Sequence, residues 1–171
     1  MSIFFPTVSV HRAYEITPRL LDELEVKALI LDVDNTLTTH GNPEPDEKIL
    51  VWLEQMKRDG IALMILSNNN GERVRPFAQR LGLDFESSGA KPLPRGFRRC
   101  CERLGLARDQ VAVVGDQIFT DVAGANWSGI KSILVDPIEP ERGVLFGLKR
   151  LLERPFLRAY RKKCARKGEN P

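Results

Sequence analysis

The chain has 171 residues, of which 42% are hydrophobic and 29% charged, so it can form the core of one ordinary domain. This composition excludes a disordered chain and a collagen-like repeat. No apolar stretch approaches the ~20 residues that a membrane-spanning helix needs, and residues 1–14 do not read as a secretory signal. Three cysteines without a C-x-x-C motif favour neither a zinc site nor disulfide bonds. We therefore predict a soluble cytoplasmic protein.

The charges are unevenly distributed along the chain. The total of 26 Lys and Arg against 23 Asp and Glu gives a net charge of +3. Residues 149–171 hold 9 basic and 2 acidic residues, so they carry +7 and residues 1–148 carry −4. This division predicts an acidic domain over residues 1–148 and a basic C-terminal helical tail over residues 149–171. We expect anionic partners for the tail and no specific nucleic acid for the acidic domain.

Two hydrophobic patterns alternate along the chain. Short continuous apolar runs predict strands that are buried on both faces, and helical periodicity predicts helices between them. In chain order the predicted elements are strand 26–33, helix 46–59, strand 61–66, helix 72–81, strand 83–86, helix 94–104, strand 111–114, helix 121–127, strand 132–135 and helix 143–152. Pro155 is predicted to break the chain before the last basic segment. The alternation predicts an α/β fold with a central parallel sheet.

Polar residues follow three of the predicted strands. Asp32 and Asp34 end the first strand, Ser67 follows the second, and Asp116 follows the strand over 111–114. Lys91 comes just before the third helix, so it can lie at the same edge of the sheet. Open α/β sheets bind ligands at the carboxyl ends of their strands. We therefore expect these residues to converge on one crevice.

The two carboxylates of Asp32 and Asp34 belong to one side of the strand if the strand persists, because residues two apart point the same way. Their repulsion requires a divalent cation or a shared proton. An EF-hand loop is excluded because Thr36 and Leu37 stand where a ligand and the necessary glycine should be. A solvated turn after the strand is the remaining alternative.

Four motifs in this order resemble those of the haloacid dehalogenase (HAD) superfamily. They are DVDNTL at 32–37, LSNNN at 66–70, GAKP at 89–92 and GDQIFTD at 115–121. Over residues 26–136 they are similar to the small YqeG-type phosphatases of subfamily IIIA, whose relatives include phosphatidylglycerophosphate phosphatases. The resemblance implies a HAD-like Rossmannoid three-layer sandwich.

The resemblance also implies catalytic roles. Asp32 would be the nucleophile that forms an aspartyl-phosphate, and Asp34 the general acid and then the base. Ser67 and Asn68 would bind the phosphate, and Lys91 would neutralise it and keep Asp32 ionised. Without the resemblance, the Ser67 segment reads equally as a structural loop or helix cap, and Lys91 as a surface lysine.

A metal site is implied by the same motifs. The predicted ligands of Mg²⁺ are Asp32, the main-chain carbonyl of Asp34, Asp116 and Asp121, since Mg²⁺ prefers a few carboxylates with water and phosphate oxygens. Asp121 has the alternative role of capping the helix that it opens. Gly115 is expected to allow a close approach of the backbone at the strand end.

The intervals between motifs predict the type of site. Asp32 and Ser67 are 35 residues apart, and Ser67 and Lys91 are 24 apart, which leaves no room for an inserted cap domain. An open site suits a large or surface-bound phosphomonoester.

The predicted function is a Mg²⁺-dependent phosphomonoester hydrolase that converts phosphatidylglycerophosphate to phosphatidylglycerol. The alternatives are a nucleotide or another phosphorylated substrate, and a non-catalytic binding protein on a HAD scaffold. Apolar and basic residues interleave after Lys149, so the tail is predicted either to contact the inner face of a membrane or to pack its apolar side on the domain. A protein partner and a phosphorylated nucleic-acid end or ribosome are the other binding partners that the tail leaves open.

Overall fold

A computed structural model describes residues 2–139 and 144–167 of the chain. Over these residues, six strands form one sheet in the order β1-β6-β5-β2-β3-β4, and every pairing is parallel. The strands are β1 (Val8–Val10), β2 (Ala28–Leu31), β3 (Ala62–Leu66), β4 (Asp84–Glu86), β5 (Val111–Gly115) and β6 (Lys131–Val135). The predicted α/β fold with a central parallel sheet is confirmed, and β1 is an edge strand that the sequence patterns did not indicate.

Helices connect the strands and cover the sheet. They are α1 (Pro18–Glu23), α2 (Glu47–Arg58), α3 (Gly71–Leu81), α4 (Pro94–Leu104), α5 (Ala123–Trp127) and α6 (Val144–Lys167). Two short 3₁₀ turns lie at Ala13–Glu15 and Arg108–Gln110. The predicted helix over residues 121–127 is divided between a π-helical turn, Ile118–Val122, and α5.

The ends of the central helices follow from local chemistry. Asp46 caps α2 by accepting a hydrogen bond from the Lys48 amide at 2.9 Å, and Asn70 caps α3 by accepting from the Arg73 amide at 3.2 Å. Helix α3 ends at Gly82, whose φ of 60° lies in the left-handed region that glycine adopts without strain.

The sheet is buried on both faces, which makes three layers. Along β2, Leu29 and Leu31 pack with the apolar residues of α2 and α3, whereas Ala28 and Ile30 pack with those of α4 and α5. All four side chains are fully buried, as the continuous apolar run predicts. The predicted three-layer sandwich is therefore confirmed.

The described residues contain no cap domain. The segment from Asp32 to Ser67 holds a loop, α2 and β3, and the segment from Ser67 to Lys91 holds α3, β4 and a short loop. The crevice at the carboxyl ends of the strands is consequently open to solvent on the side that a cap domain would cover. This agrees with the interval lengths in the sequence.

The predicted break at Pro155 is wrong, because α6 continues from Val144 through Pro155 to Lys167. A proline inside a helix removes one hydrogen bond and crowds the preceding turn, so the helix needs support from elsewhere. That support comes from contacts next to the proline. Glu153 is fully buried, and the ring of Phe156 lies 4.8 Å from that of Phe4.

The apolar side of α6 packs on the body of the protein, which is one of the two predicted arrangements. Phe156 and Leu157 contact a cluster formed by Ile118, Val122 and Leu134, and the side chains of Tyr160 and Cys164 are buried. The predicted boundary between residues 148 and 149 lies inside α6, and the division into body and tail stays a prediction. Gly143, where the last helix is predicted to begin, lies outside the described residues.

None of the helices in the described part of the chain combines the length and the apolar character that crossing a bilayer requires.

Glu153 connects α6 to the π-helical turn. Its Oε1 atom accepts hydrogen bonds from the Ile118 amide at 2.9 Å and from the Phe119 amide at 3.5 Å. The shorter bond satisfies an amide at the start of the turn, where a helical segment has no internal acceptor. The carboxylate therefore fixes the turn from outside the sheet.

We predict that Glu153→Ala lowers the free energy of unfolding by about 1–3 kcal/mol, because a buried amide loses its acceptor. Arg154→Ala, at an exposed neighbouring position, should change it by no more than about 0.5 kcal/mol. Urea denaturation of both variants measures the difference. Equal stability of the two variants would mean that the Glu153 contact does not hold α6 to the turn.

Candidate active site

Three neighbouring strands deliver polar side chains to one edge of the sheet. Strand β2 lies between β3 and β5, so Asp32, Ser67 and Asp116 follow adjacent strands. The Asp32 amide continues the sheet by donating to the Val114 carbonyl at 2.9 Å. All three polar side chains are buried. The predicted convergence on one crevice is therefore present.

Three carboxylates meet in this crevice. Oxygens of Asp32, Asp116 and Asp121 lie within 4.8 Å of one another, and each residue is at most 8% exposed. The Lys91 Nζ atom donates to Asp32 Oδ1 at 2.5 Å and to Asp121 Oδ1 at 2.6 Å. One ammonium cannot balance three ionised carboxylates, so the cluster suits a divalent cation that accepts oxygen ligands.

The electrostatics of Lys91 and Asp32 favour a charged pair at neutral pH. Burial raises the pKa of Asp32 to about 6, and the attraction of Lys91 opposes this increase. Burial alone would lower the pKa of Lys91, but the carboxylates of Asp121 and Asp32 attract and hydrogen-bond the ammonium and raise it above its usual range. Lys91 is therefore a buried ammonium against Asp32, not a surface lysine.

Asp34 lies apart from this cluster, at the mouth of the crevice. Its Oδ1 atom contacts Arg73 Nη2 at 2.8 Å and His40 Nδ1 at 3.3 Å, and its Oδ2 atom accepts from Asn69 Nδ2 at 2.6 Å. The side chain of Asp34 is 19% exposed. Its carboxylate is thus the more exposed of the two in the first motif. The metal contact through its main-chain carbonyl stays a prediction.

Ser67 and Asn68 both line the crevice, with different contacts. The Ser67 hydroxyl oxygen accepts a hydrogen bond from the Asn69 amide at 3.2 Å. Asn68 is bound to the main chain of Lys91, because its Oδ1 accepts from the Lys91 amide at 2.7 Å and its Nδ2 donates to the Lys91 carbonyl at 3.1 Å. Asn68 therefore positions the lysine, and direct contacts of Ser67 and Asn68 with substrate stay predictions.

These residues surround a pocket of about 220 Å³. Asp32 and Lys91 line the pocket together with Ser67 and Asn68, and Asp34 and Asp121 also lie at its wall. Asp116 belongs to the carboxylate cluster beneath. The four sequence motifs thus form one site, although they are spread over 90 positions of the chain.

The sequence patterns missed four residues that shape this site. Thr36 donates to Asp32 Oδ2 at 3.4 Å, and Asn69 and Arg73 bind Asp34. Glu153 holds the turn that carries Asp121. Thr36 and Asn69 lie inside the quoted motifs, which was a usable signal. Arg73 and Glu153 carry no local signal, because only the folded chain brings them to the site.

Gly115 has the predicted close approach. A Cβ atom at this position would lie 2.4 Å from Asp121 Cγ, so only glycine leaves room for the Asp121 side chain. Asp121 Oδ2 also accepts from the Gln117 amide at 3.2 Å. Asp121 therefore both joins the carboxylate cluster and orders the turn before it.

Comparisons with known proteins agree with this geometry. The family model "haloacid dehalogenase-like hydrolase" matches residues 43–129, and the model "Mitochondrial PGP phosphatase" matches residues 1–84. The chain is 38% identical over 160 residues to "Probable phosphatase YqeG" of Bacillus subtilis (strain 168), covering 94% of this chain and 93% of that protein.

Solved structures share the fold at low sequence identity. An uncharacterized protein from Listeria monocytogenes serotype 4b has a TM-score of 0.55 and 19% identity, covering 76% of this chain and 99% of that one. The cobalt-bound deoxy-D-mannose-octulosonate 8-phosphate phosphatase from Haemophilus influenzae has a TM-score of 0.52 and 17% identity, covering 81% and 91%. The family-model match and the full-length similarity to YqeG carry the assignment: the chain belongs to the haloacid dehalogenase-like hydrolase family and is a phosphatase of the YqeG type.

Proposed function

We propose that this phosphatase hydrolyses phosphomonoesters through an aspartyl-phosphate on Asp32, with Mg²⁺ as its cation. One observation carries the proposal. The carboxylate of Asp32 lines a pocket of about 220 Å³, paired with the buried ammonium of Lys91 and beside two further carboxylates. A carboxylate becomes an effective nucleophile towards phosphate only when positive charge screens the approaching anion.

The first step forms a bond between an Asp32 oxygen and phosphorus while the bond from phosphorus to the leaving oxygen breaks. Lys91 draws the phosphoryl oxygens towards Asp32, and the Ser67 hydroxyl donates a hydrogen bond to one of them. Asp34 gives a proton to the leaving oxygen. In the second step water attacks phosphorus and Asp34 accepts its proton. The bond from Asp32 to phosphorus breaks, inorganic phosphate leaves, and the carboxylate of Asp32 is restored.

The carboxylates of Asp32, Asp116 and Asp121 are the side chains that would hold the cation, together with the predicted main-chain carbonyl of Asp34. Hard oxygen ligands in a small number are the set that Mg²⁺ accepts. When bound, the cation neutralises the carboxylates and the phosphate that approaches them. Lys91 brings one positive charge against the three carboxylates of the cluster, which supports the need for a cation.

Phosphatidylglycerophosphate is the substrate that we propose, with phosphatidylglycerol as the product. The match of residues 1–84 to the "Mitochondrial PGP phosphatase" model supports this choice. The open crevice also supports it, because a lipid head group stays attached to a bilayer and has to reach the reacting carboxylate without a cap in the way.

We further propose that the protein acts in the cytoplasm, on the inner face of a membrane, through α6. Four basic side chains at helical spacing, Arg154, Arg158, Arg161 and Lys162, are exposed on α6. Leu151 and Leu152, about 55% exposed, lie at the start of this face. Each basic residue near an anionic bilayer contributes about 1 kcal/mol, so weak attachment needs no anchor.

The nucleophile is tested by Asp32→Asn. We expect a loss of about 1,000-fold or more in Mg²⁺-dependent hydrolysis of p-nitrophenyl phosphate, because an amide cannot form the phosphoryl ester. Asp22→Asn, exposed on α1, is the matched control and should retain full activity. Equal rates for Asp32→Asn and the wild type would overturn the assignment.

The substrate is tested by comparing the rates of hydrolysis of phosphatidylglycerophosphate, nucleoside monophosphates and phosphopeptides. A preference for either of the last two contradicts the proposed lipid substrate.

The membrane contact is tested by charge reversal on α6. We expect Arg154→Glu/Arg158→Glu to weaken co-sedimentation with phosphatidylglycerol vesicles by at least about 10-fold at low salt. Arg95→Glu/Arg98→Glu reverses two exposed charges on α4 and serves as the control. Binding that is the same in both double variants, or absent in the wild type, would exclude α6 as the contact surface.

A further inference from the structure

A second cavity adjoins the catalytic pocket. It encloses about 280 Å³ between the loop at residues 41–43 and α3. The two cavities have Asp34, Ser67 and Asn69 in common, so they lie side by side at the mouth of the site. A molecule whose phosphate reaches Asp32 would have its remaining part beside or inside this second cavity.

Two arginines line the second cavity, seven residues or about two turns apart on α3. Arg80 is ion-paired with Glu44 at 2.6 Å. Arg73 is 42% exposed and contacts Asp34 at 2.8 Å. Lys91 differs from both because its side chain is only 4% exposed and is held between two carboxylates. Among the arginine and lysine side chains described in these two cavities, Arg73 is therefore the one that both contacts Asp34 and reaches solvent.

The contact between Arg73 and Asp34 is one of three at this carboxylate. Arg73 and His40 both contact the Oδ1 atom, and Asn69 donates to Oδ2 at 2.6 Å. Arg73 has a flexible side chain that is 42% exposed, so it can leave Asp34 for another anion while His40 and Asn69 stay in place.

We propose that the second cavity is a subsite for a second phosphate group of the substrate, and that Arg73 exchanges Asp34 for this group. The inference rests on the proposed phosphomonoesterase function and deepens it. The substrate class is a phosphomonoester joined to a phosphodiester by a short polyol linker. A guanidinium binds phosphate oxygens through two parallel hydrogen bonds, so the exchange replaces one anionic partner with another of suitable geometry.

The walls of the cavity suit the linker of such a substrate. Val74 and Phe77 of α3 are buried, and they line the cavity with Pro43. This apolar surface can contact the carbons of a glycerol unit, while Arg73 binds the anionic group.

The test uses two water-soluble phosphomonoesters, so that membrane attachment cannot contribute. Glycerophosphoglycerophosphate contains the second phosphate, and glycerol 3-phosphate lacks it. We expect the wild type to have a kcat/KM at least about 10-fold higher for the first compound, and Arg73→Gln to reduce this ratio to near one. Arg73→Lys should recover part of the ratio. Arg75→Gln, exposed on α3 with its guanidinium over Phe85 and outside both cavities, should keep it.

A ratio near one in the wild type, or the same ratio in the wild type and Arg73→Gln, would overturn the subsite. Binding measured by calorimetry in EDTA separates this outcome from failure of the proposed function, because it does not require turnover. The subsite predicts that glycerophosphoglycerophosphate binds the wild type at least about 10-fold more tightly than glycerol 3-phosphate, and that Arg73→Gln loses this difference. Equal binding of the two compounds overturns it. If the wild type keeps this binding preference but does not turn over either compound, the assignment of Asp32 as nucleophile fails and the subsite stands.

Discussion

The rest of the site depends on the ammonium of Lys91, buried between Asp32 and Asp121. A buried ion pair is strongly destabilised when one partner is removed, because the remaining charge has no solvent to stabilise it. This constraint ties the end of β2 to the turn after β5 through a residue that precedes α4. Asn68 fixes the main chain of the lysine from the end of β3. The side chain and main chain of Lys91 thus connect three strand ends at the crevice.

The remaining contacts place each group at its own depth in the crevice. Carboxylates that suit a cation lie on the buried floor, whereas Asp34 lies at the mouth with Arg73. In the proposed mechanism, this separation lets Asp32 act as the nucleophile while Asp34, two residues away, transfers protons. Helix α6 supports the floor from outside the sheet, because Glu153 binds the turn that contains Asp121. The helix that we propose as a membrane contact is therefore also part of the framework of the site.

The sequence predicted the parts of this structure that depend on local pattern. Continuous apolar runs gave four buried strands because a strand covered on both faces needs apolar residues at every position. Asp32, Ser67 and Asp116 were found because they follow those strands directly, whereas the roles of Lys91 and Asp121 came from the resemblance of their motifs to the family. Strand β1 was missed because three half-buried residues at the edge of a sheet carry little pattern. The break at Pro155 was wrong because contacts of Glu153 and Phe156 with distant segments outweigh the local preference of proline. Arg73 was missed because its contact with Asp34 depends on how α3 packs against the first motif. No local pattern in the sequence around Arg73 indicates that packing.

The central claim is that Asp32 accepts phosphorus at a cation held by neighbouring carboxylates. A crystal structure of the protein with beryllium trifluoride and Mg²⁺ tests it directly, because beryllium trifluoride bound to a carboxylate mimics an acyl phosphate. We predict the adduct on a side-chain oxygen of Asp32, with Mg²⁺ bound by Asp32 and Asp116. An adduct on Asp34 or on any other residue, or a cation bound away from the Asp32, Asp116 and Asp121 cluster, would contradict the claim.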